Sequence, residues 1–161
     1  MKASPGILLI LLLTAVVAGA WWLHPSHPTR RANVADFESD MTEGLLRGII
    51  QELDAGQPPV YFVAFGEART EPTPAFVARF ADHFPPVRAF TSSVTTPTGL
   101  VLETSTGRAG VIIQIISFKE YVPGTFDVRV SLSNQPAGRD QCIYRVFNRG
   151  GEWIIKSRQS A

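Results

Sequence analysis

The chain has 161 residues, a hydrophobic fraction of 45%, a formal net charge of +1 and one cysteine. Positive and negative residues are interleaved, so no basic patch neutralises phosphates and nucleic acid is not an expected partner. The single Cys142 cannot form an intrachain disulfide, nor a cysteine-based zinc or iron–sulfur cluster within one chain. We expect no cofactor, and one small domain behind an N-terminal targeting segment.

The N-terminal segment 7–23 is apolar and carries no charge over its whole length. One interpretation is a cleaved signal peptide, with cleavage near Ala20 and a secreted or periplasmic product. The other is a retained membrane anchor that contacts the lipid bilayer through residues 7–23. Trp21 and Trp22 favour the anchor, because aromatic residues prefer the membrane interface. We therefore expect an anchor in the cytoplasmic membrane, with the domain in the periplasm or outside the cell.

Residues 24–33 contain two prolines and are predicted to be a linker, which leaves 34–161 as a single domain. The segment from Val34 to Ala55 has the pattern of an amphipathic helix, with apolar residues every four positions. These residues are Phe37, Met41, Leu45, Ile49 and Leu53. Gly44 and Gly48 are also four apart, and we expect them to allow a close approach of this helix to a sheet.

The next segments are shorter. Val60–Phe65 is a continuous apolar run, which is typical of a strand buried on both faces. Thr73 before Pro74 predicts the start of a second helix, which we expect to reach Phe84. Shorter strands are predicted at 87–94 and at 100–103.

Three β-branched runs between residues 110 and 156 predict an antiparallel sheet. The middle run alternates between apolar side chains at Phe126, Val128, Val130 and Leu132 and polar ones between them. Glycines at 150 and 151 predict a hairpin turn before the last strand, and we expect Trp153 to pack over the core. The sequence thus predicts an α+β fold. It places an N-terminal membrane-spanning or signal helix before two amphipathic helices on a curved antiparallel sheet of three to five strands.

The chain contains no catalytic, nucleotide-binding or metal-binding motif that we could identify. Four side chains are candidates to line a pocket: Glu67, His83, Asp127 and Arg129. Glu67 follows a buried strand, and strand ends often open onto pockets. His83 is the single histidine of the predicted domain. Asp127 and Arg129 lie on the polar side of the middle strand, which is either solvated or a docking surface.

A set of scattered residues supports a resemblance. It comprises Tyr61-Phe62, Phe65-Gly66-Glu67, Pro72, Phe76, Arg79-Phe80, Pro85-Pro86-Val87, Ser92, Gly107, Gly110, Tyr144, Gly151 and Trp153. In these positions the chain resembles small bacterial extracytoplasmic proteins that carry a signal or anchor ahead of an α+β domain. The order of elements is also similar to cystatin-like and nuclear-transport-factor-2-like folds. The resemblance implies no catalytic residue.

Two functions follow from these observations. The first is a non-enzymatic binding or assembly role for a membrane-anchored extracytoplasmic domain, with an envelope protein as its partner. The second is a small cone-fold enzyme or ligand-binding protein with a pocket on the concave face of the sheet. The second function requires at least two polar side chains that converge in that pocket.

Overall fold

The computed structural model describes residues 34–53, 60–135 and 138–161. The apolar segment 7–23 and the linker 24–33 lie outside these described residues. The predictions of an anchor or signal segment and of a linker therefore concern residues that the structure does not describe. None of the helices within the described residues is both long and apolar enough to cross a membrane.

The first predicted helix is divided into two. Helix α1 spans Val34–Phe37 and helix α2 spans Asp40–Leu53. The side chain of Ser39 separates them, since its Oγ accepts a hydrogen bond from the backbone N–H of Thr42 at 3.3 Å. Serine is a favoured residue at a helix N-terminus because it satisfies a backbone donor that would otherwise lack a partner. The predicted single helix was therefore wrong in this detail.

The second predicted helix begins where the sequence indicated but is shorter. Helix α3 spans Pro74–Ala78, and Thr73 Oγ1 accepts a hydrogen bond from the backbone N–H of Phe76 at 3.2 Å. The predicted cap is thus confirmed, whereas the predicted end at Phe84 is wrong because turns replace the helix after Ala78.

Within the described residues, eight strands form a main sheet and a small hairpin. They are β1 (Val60–Phe65), β2 (Val87–Ala89), β3 (Ser93–Thr95), β4 (Val101–Glu103), β5 (Gly110–Val122), β6 (Thr125–Gln135), β7 (Gly138–Arg149) and β8 (Glu152–Ser160). The main sheet has six strands in the order β2-β1-β5-β6-β7-β8, and β3 pairs with β4 alone.

The α+β class is confirmed, but the prediction of an antiparallel sheet of three to five strands is wrong. The sheet is mixed, because β1 runs parallel to both β2 and β5 while β5 to β8 are antiparallel. A parallel connection needs a long crossover, and the chain between β1 and β5 contains α3 and the β3–β4 hairpin. The uniform burial of β1 suits a central position in the sheet.

The main core lies between α2 and one face of the sheet, which we call the helix-covered face. From α2 it contains Leu45, Leu46, Ile49 and Ile50, and from β6 it contains Val128, Val130 and Leu132. The predicted side of β6 therefore faces the helix, with Phe126 and Trp153 packed at the margin of the core. A second, smaller cluster lies on the opposite face, where the hairpin covers β1 and β5.

Two glycines determine how closely α2 approaches the last strand. A Cβ atom at Gly44 would lie 2.9 Å from Cβ of Trp153, and one at Gly48 would lie 2.6 Å from Cδ1 of Ile155. Both distances are shorter than ordinary contacts. A Cβ at Gly44 would push the helix away from β8, because Cβ of Trp153 is fixed to the strand backbone, whereas at Gly48 the end of the Ile155 side chain could move aside. The expected role of this glycine pair is confirmed.

Candidate functional site

The sheet face opposite α2 carries polar side chains on three neighbouring strands, and we call this surface the polar face. It consists of Gln114, Ser117 and Lys119 on β5, Asp127, Arg129 and Ser131 on β6, and Arg145 on β7. Their common side follows from the pairing register and from the alternation of side chains along each strand. The hairpin does not cover all of this face, because Asp127, Arg129 and Arg145 remain partly exposed.

Glu67 and Arg129 meet at one end of the polar face. Nη2 of Arg129 lies 2.5 Å from Oε1 of Glu67, and the exposed fractions of these side chains are 43% and 76%. The Nε atom of Arg129 is buried and has no hydrogen-bond partner among the described residues. The pair joins the turn after β1 to β6, and its exposure makes it a weak contributor to stability.

A buried glutamine holds that turn in place. Gln114 is 4% exposed. Its Nε2 donates to the carbonyl oxygen of Gly66 at 2.7 Å, and its Oε1 accepts from Nε of Arg69 at 3.3 Å. Both polar ends of the amide are therefore satisfied, as buried polar groups require. The position of Glu67 on the polar face thus depends on a side chain of β5.

Asp127 and Arg145 form the best-defined pair of the polar face. The two residues are opposite one another on β6 and β7. Nε and Nη2 of Arg145 donate to the two carboxylate oxygens of Asp127 at 2.7 and 2.8 Å. These hydrogen bonds lower the pKa of Asp127 below its ordinary value, against the opposing effect of burial. The carboxylate consequently stays ionised at neutral pH and is fixed by a two-point contact.

An aromatic side chain extends this pair. The guanidinium carbon of Arg145 lies 3.8 Å from the ring centroid of Tyr121, which is a cation–π contact. Tyr121 is itself 59% exposed. Lys119 lies opposite Asp127 in the register and has no salt bridge within the described part of the chain. The centre of the polar face therefore presents an ordered arginine, an exposed ring and a cation available to a partner.

His83 does not join the other three candidates. It follows α3, and its Nδ1 lies 3.0 Å from the carbonyl oxygen of Pro85. The structure therefore brings Glu67, Asp127 and Arg129 to one face of the sheet and places His83 in a separate turn. The three that share a face belong to two different ion pairs, Glu67 with Arg129 and Asp127 with Arg145.

A cleft of about 540 Å³ lies between α2 and β8. Its lining includes the two α2 glycines together with Gln51, Glu52, Trp153 and Ile155. Tyr144 OH donates to Oε2 of Glu52 at 3.3 Å. Burial and the charge of Glu52 raise the pKa of Tyr144, so the phenol remains a hydrogen-bond donor at neutral pH.

Cys142 lies on β7, where it pairs with Ser160 of β8. It is 1% exposed, as expected for a buried small apolar residue. Its Sγ accepts a hydrogen bond from Nε of Arg158 at 3.1 Å. Within the described residues, no three histidine, cysteine, aspartate or glutamate side chains are arranged to hold a metal ion.

Sequence reasoning missed Arg145, which makes the strongest contacts of the polar face. On β7, buried residues alternate with Ile143, Arg145 and Phe147. This alternation indicates that the three side chains lie on one side of the strand, and it could have been found in the sequence. The partner of Arg145 could not be found in this way, because it depends on the register between β6 and β7. That register contains an irregularity between Leu132 and Gln135.

We compared the chain with protein-family models, with curated proteins and with solved structures, and none of the three comparisons gave a significant match.

Proposed function

We propose that this protein is a membrane-anchored extracytoplasmic domain with a non-enzymatic binding or assembly role. The anchor is the uncharged apolar segment 7–23, followed by a proline-containing linker. A helix there would hold the α+β domain at the outer face of the cytoplasmic membrane. The observation that carries the binding role is the polar face, where charged side chains are fixed by mutual contacts and remain accessible.

The chemistry of the polar face suits recognition better than catalysis. A general acid or base works best with a pKa near neutral pH. The contact with Arg145 instead moves the pKa of Asp127 further below neutrality. Tyrosine and arginine, by contrast, are the residues that most often dominate binding energy at protein interfaces. The stacked Tyr121 and Arg145 are therefore the centre of the proposed docking surface.

The partner that fits this surface is an envelope protein with an acidic and partly apolar patch. A carboxylate of such a partner would meet Lys119, which has no salt bridge among the described residues. An apolar side chain of the partner would cover the exposed ring of Tyr121. Such mixed contacts are typical of non-obligate interfaces.

A second candidate function is a ligand-binding protein or small enzyme with a pocket beside the sheet. The cleft between α2 and β8 favours it, since about 540 Å³ is within the range of small-molecule pockets. The helix-covered face itself offers little room, because Leu46, Ile49 and Ile50 are each 0% exposed there. The binding role on the polar face consequently has the stronger support.

The location is tested by alkaline extraction of membranes from cells that make the full chain, combined with N-terminal sequencing. We expect the intact N-terminus in the membrane fraction and protease accessibility of the domain from outside the cytoplasm. A soluble protein that begins at Trp21 would show that the segment is a cleaved signal peptide and would contradict the anchor.

The docking surface is tested by photo-crosslinking in cells. A photoreactive phenylalanine analogue replaces Tyr121, and a matched variant carries it at Phe84, which is also an exposed aromatic residue (76%). We expect one defined envelope-protein adduct from position 121, lost when Lys119→Glu is added, and no such adduct from position 84. Equal adducts from both positions, or none from position 121, would contradict this surface.

A further inference from the structure

The last strand forms an edge of the main sheet. Strand β8 is the terminal member of the order β2-β1-β5-β6-β7-β8 and pairs with β7 only, within the described residues. In an edge strand every second residue points its backbone N–H and C=O groups away from the sheet. Those groups can pair with another extended chain.

Natural proteins usually protect such edges, and the opposite edge of this sheet is protected. Strand β2 has three residues, includes Arg88 and follows Pro85-Pro86. A short strand, a charged residue and prolines all hinder edge pairing. The C-terminal half of β8 is protected in the same way, by Arg158 and by a register irregularity at Lys156.

The half of β8 next to the hairpin lacks these features, although Gly44 and Gly48 of α2 pack on its helix-covered side at Trp153 and Ile155. Trp153, Ile154 and Ile155 are apolar, partly exposed and in regular register with β7. The hairpin is closed by the pair Arg149 and Glu152 around a two-residue turn. In such a hairpin the closing pair exchanges both hydrogen bonds, and alternate residues then point outward. The outward backbone groups are accordingly those of Trp153 and Ile155.

We propose that this segment pairs in antiparallel orientation with the same segment of a second copy, about a two-fold axis at Ile154. In this register Trp153 of one copy hydrogen-bonds with Ile155 of the other, using the outward groups of both. Glu152 of each copy lies at the end of the paired segment, beside Lys156 of the other copy, the residue at which the register of β8 with β7 shifts. A single contact of this kind is isologous, so it closes as a dimer and does not propagate.

The charges of the strand support a second copy as the occupant. Glu152 precedes the apolar segment and Lys156 follows it, and neither has a salt bridge among the described residues. A strand with a negative N-terminal end and a positive C-terminal end is complementary to itself when the two strands run in opposite directions. Opposite charges placed across a strand pair stabilise it, and like charges destabilise it.

The space around the strand supports the same occupant. The cleft between α2 and β8 is lined by Trp153 and Ile155 on the helix-covered side. It lies where the side chains of an added strand would be placed. On the other side of the sheet, Ile154 lies opposite Phe147 of β7, and both are partly exposed. Pairing about Ile154 would cover apolar surface on both sides of the edge.

The first test is a disulfide trap in the full chain, carried out on whole cells. The axis places Ile154 and its counterpart in a non-hydrogen-bonded pair, where side chains are close enough for a disulfide. We expect Ile154→Cys to give a covalent dimer on mild oxidation. The matched control Ser157→Cys lies on the same strand, with its counterpart about 20 Å away in this register.

The wild-type chain, in which Cys142 is buried, shows whether that residue forms a disulfide-linked dimer by itself. A dimer from Ile154→Cys alone supports the proposal. Monomer from both variants, or a dimer from Ser157→Cys in preference, would overturn it. The paired segment is short, so the dimer is expected to be weak, which is why a covalent trap comes first.

The second test exchanges the charges and measures self-association of the full chain in detergent by sedimentation. Glu152→Lys and Lys156→Glu should each weaken the dimer about tenfold, because each places like charges opposite one another twice. The double variant should recover the wild-type association. Arg108→Glu, an equal charge reversal in an exposed loop, should have no effect.

Failure of the double variant to recover, or an equal loss in the loop control, would overturn the register. Neither test involves the polar face or the location of the domain. The dimer and the proposed binding role can therefore fail independently.

Discussion

The two faces of the main sheet differ in composition although the same strands form both. On β6, Val128 and Val130 are each 0% exposed beneath α2. The residues that alternate with them, Asp127 and Arg129, are partly exposed on the polar face. One strand thus contributes to the core and to the proposed docking surface. The alternation of side chains along the strand therefore separates stability from recognition.

The faces also differ in what fixes their side chains. On the helix-covered face, close packing and two helix glycines set the distances. On the polar face, pairwise contacts such as those between Asp127 and Arg145 set the positions. Loss of packing is costly, whereas loss of an exposed ion pair usually is not. This difference can be measured by substitutions on each face.

The largest effect is expected for Phe65→Ala on the helix-covered face. Phe65 is 0% exposed, stacks on Phe37 with a centroid distance of 5.3 Å and meets Phe76 edge-on at 5.5 Å. Its truncation should lower the free energy of unfolding by about 3–5 kcal/mol, measured by denaturant titration. A loss below about 1 kcal/mol would show that this face is not the main source of stability.

A smaller loss is expected for Gly44→Ala in α2. The new Cβ would lie 2.9 Å from Cβ of Trp153 and 3.3 Å from its carbonyl oxygen. The free energy of unfolding should fall by about 1–3 kcal/mol through overpacking. In an exposed helix the same change would stabilise by up to about 1 kcal/mol. A stabilised variant would therefore mean that α2 does not approach β8 as closely as the structure has it.

On the polar face, Asp127→Asn should change how stability depends on pH. The pKa of Asp127 is lowered in the folded state, so its contribution is complete above the ordinary aspartate pKa, about 3.9. That contribution is lost as the pH falls through the lowered value. Wild type should therefore lose stability relative to the variant when unfolding is followed below about pH 4. Parallel pH profiles would argue against the two-point contact with Arg145.

The smallest effect is expected for Glu67→Gln. The side chain is 76% exposed and pairs with a partly exposed arginine. The free energy of unfolding should change by less than about 1 kcal/mol. The second measurement on this variant is the amount of crosslinked adduct formed from position 121. A loss of several kcal/mol would contradict this difference between the two faces, because it would give the polar face a structural role equal to that of the core.

Much of the local structure could be predicted, because it depends on neighbouring residues. The bounds of β1, the Thr73 cap and the glycine hairpin before β8 all follow from short-range chemistry. The first helix was predicted as one piece, since its apolar period continues through Ser39. The structure interrupts it at residues 38–39, where Ser39 accepts a hydrogen bond from the backbone N–H of Thr42.

The candidate site was predicted only in part, for a related reason. The period of two in β6 identified Asp127 and Arg129 as neighbours on one side. It could not identify Arg145, because the partner of a strand residue depends on register and not on its own sequence. His83 was a candidate by residue type alone, and the turn after α3 places it apart from the other three.

The sequence by itself determined the α+β class, the apolar and polar sides of β6 and the single buried thiol. These features follow from the periodicity and residue type of contiguous segments. The tertiary structure decided the parallel position of β1, the ion pairs of the polar face and the exposed edge at β8. Each of these depends on which distant segments pair and in which direction, and the energy that selects them comes from burial of the whole sheet.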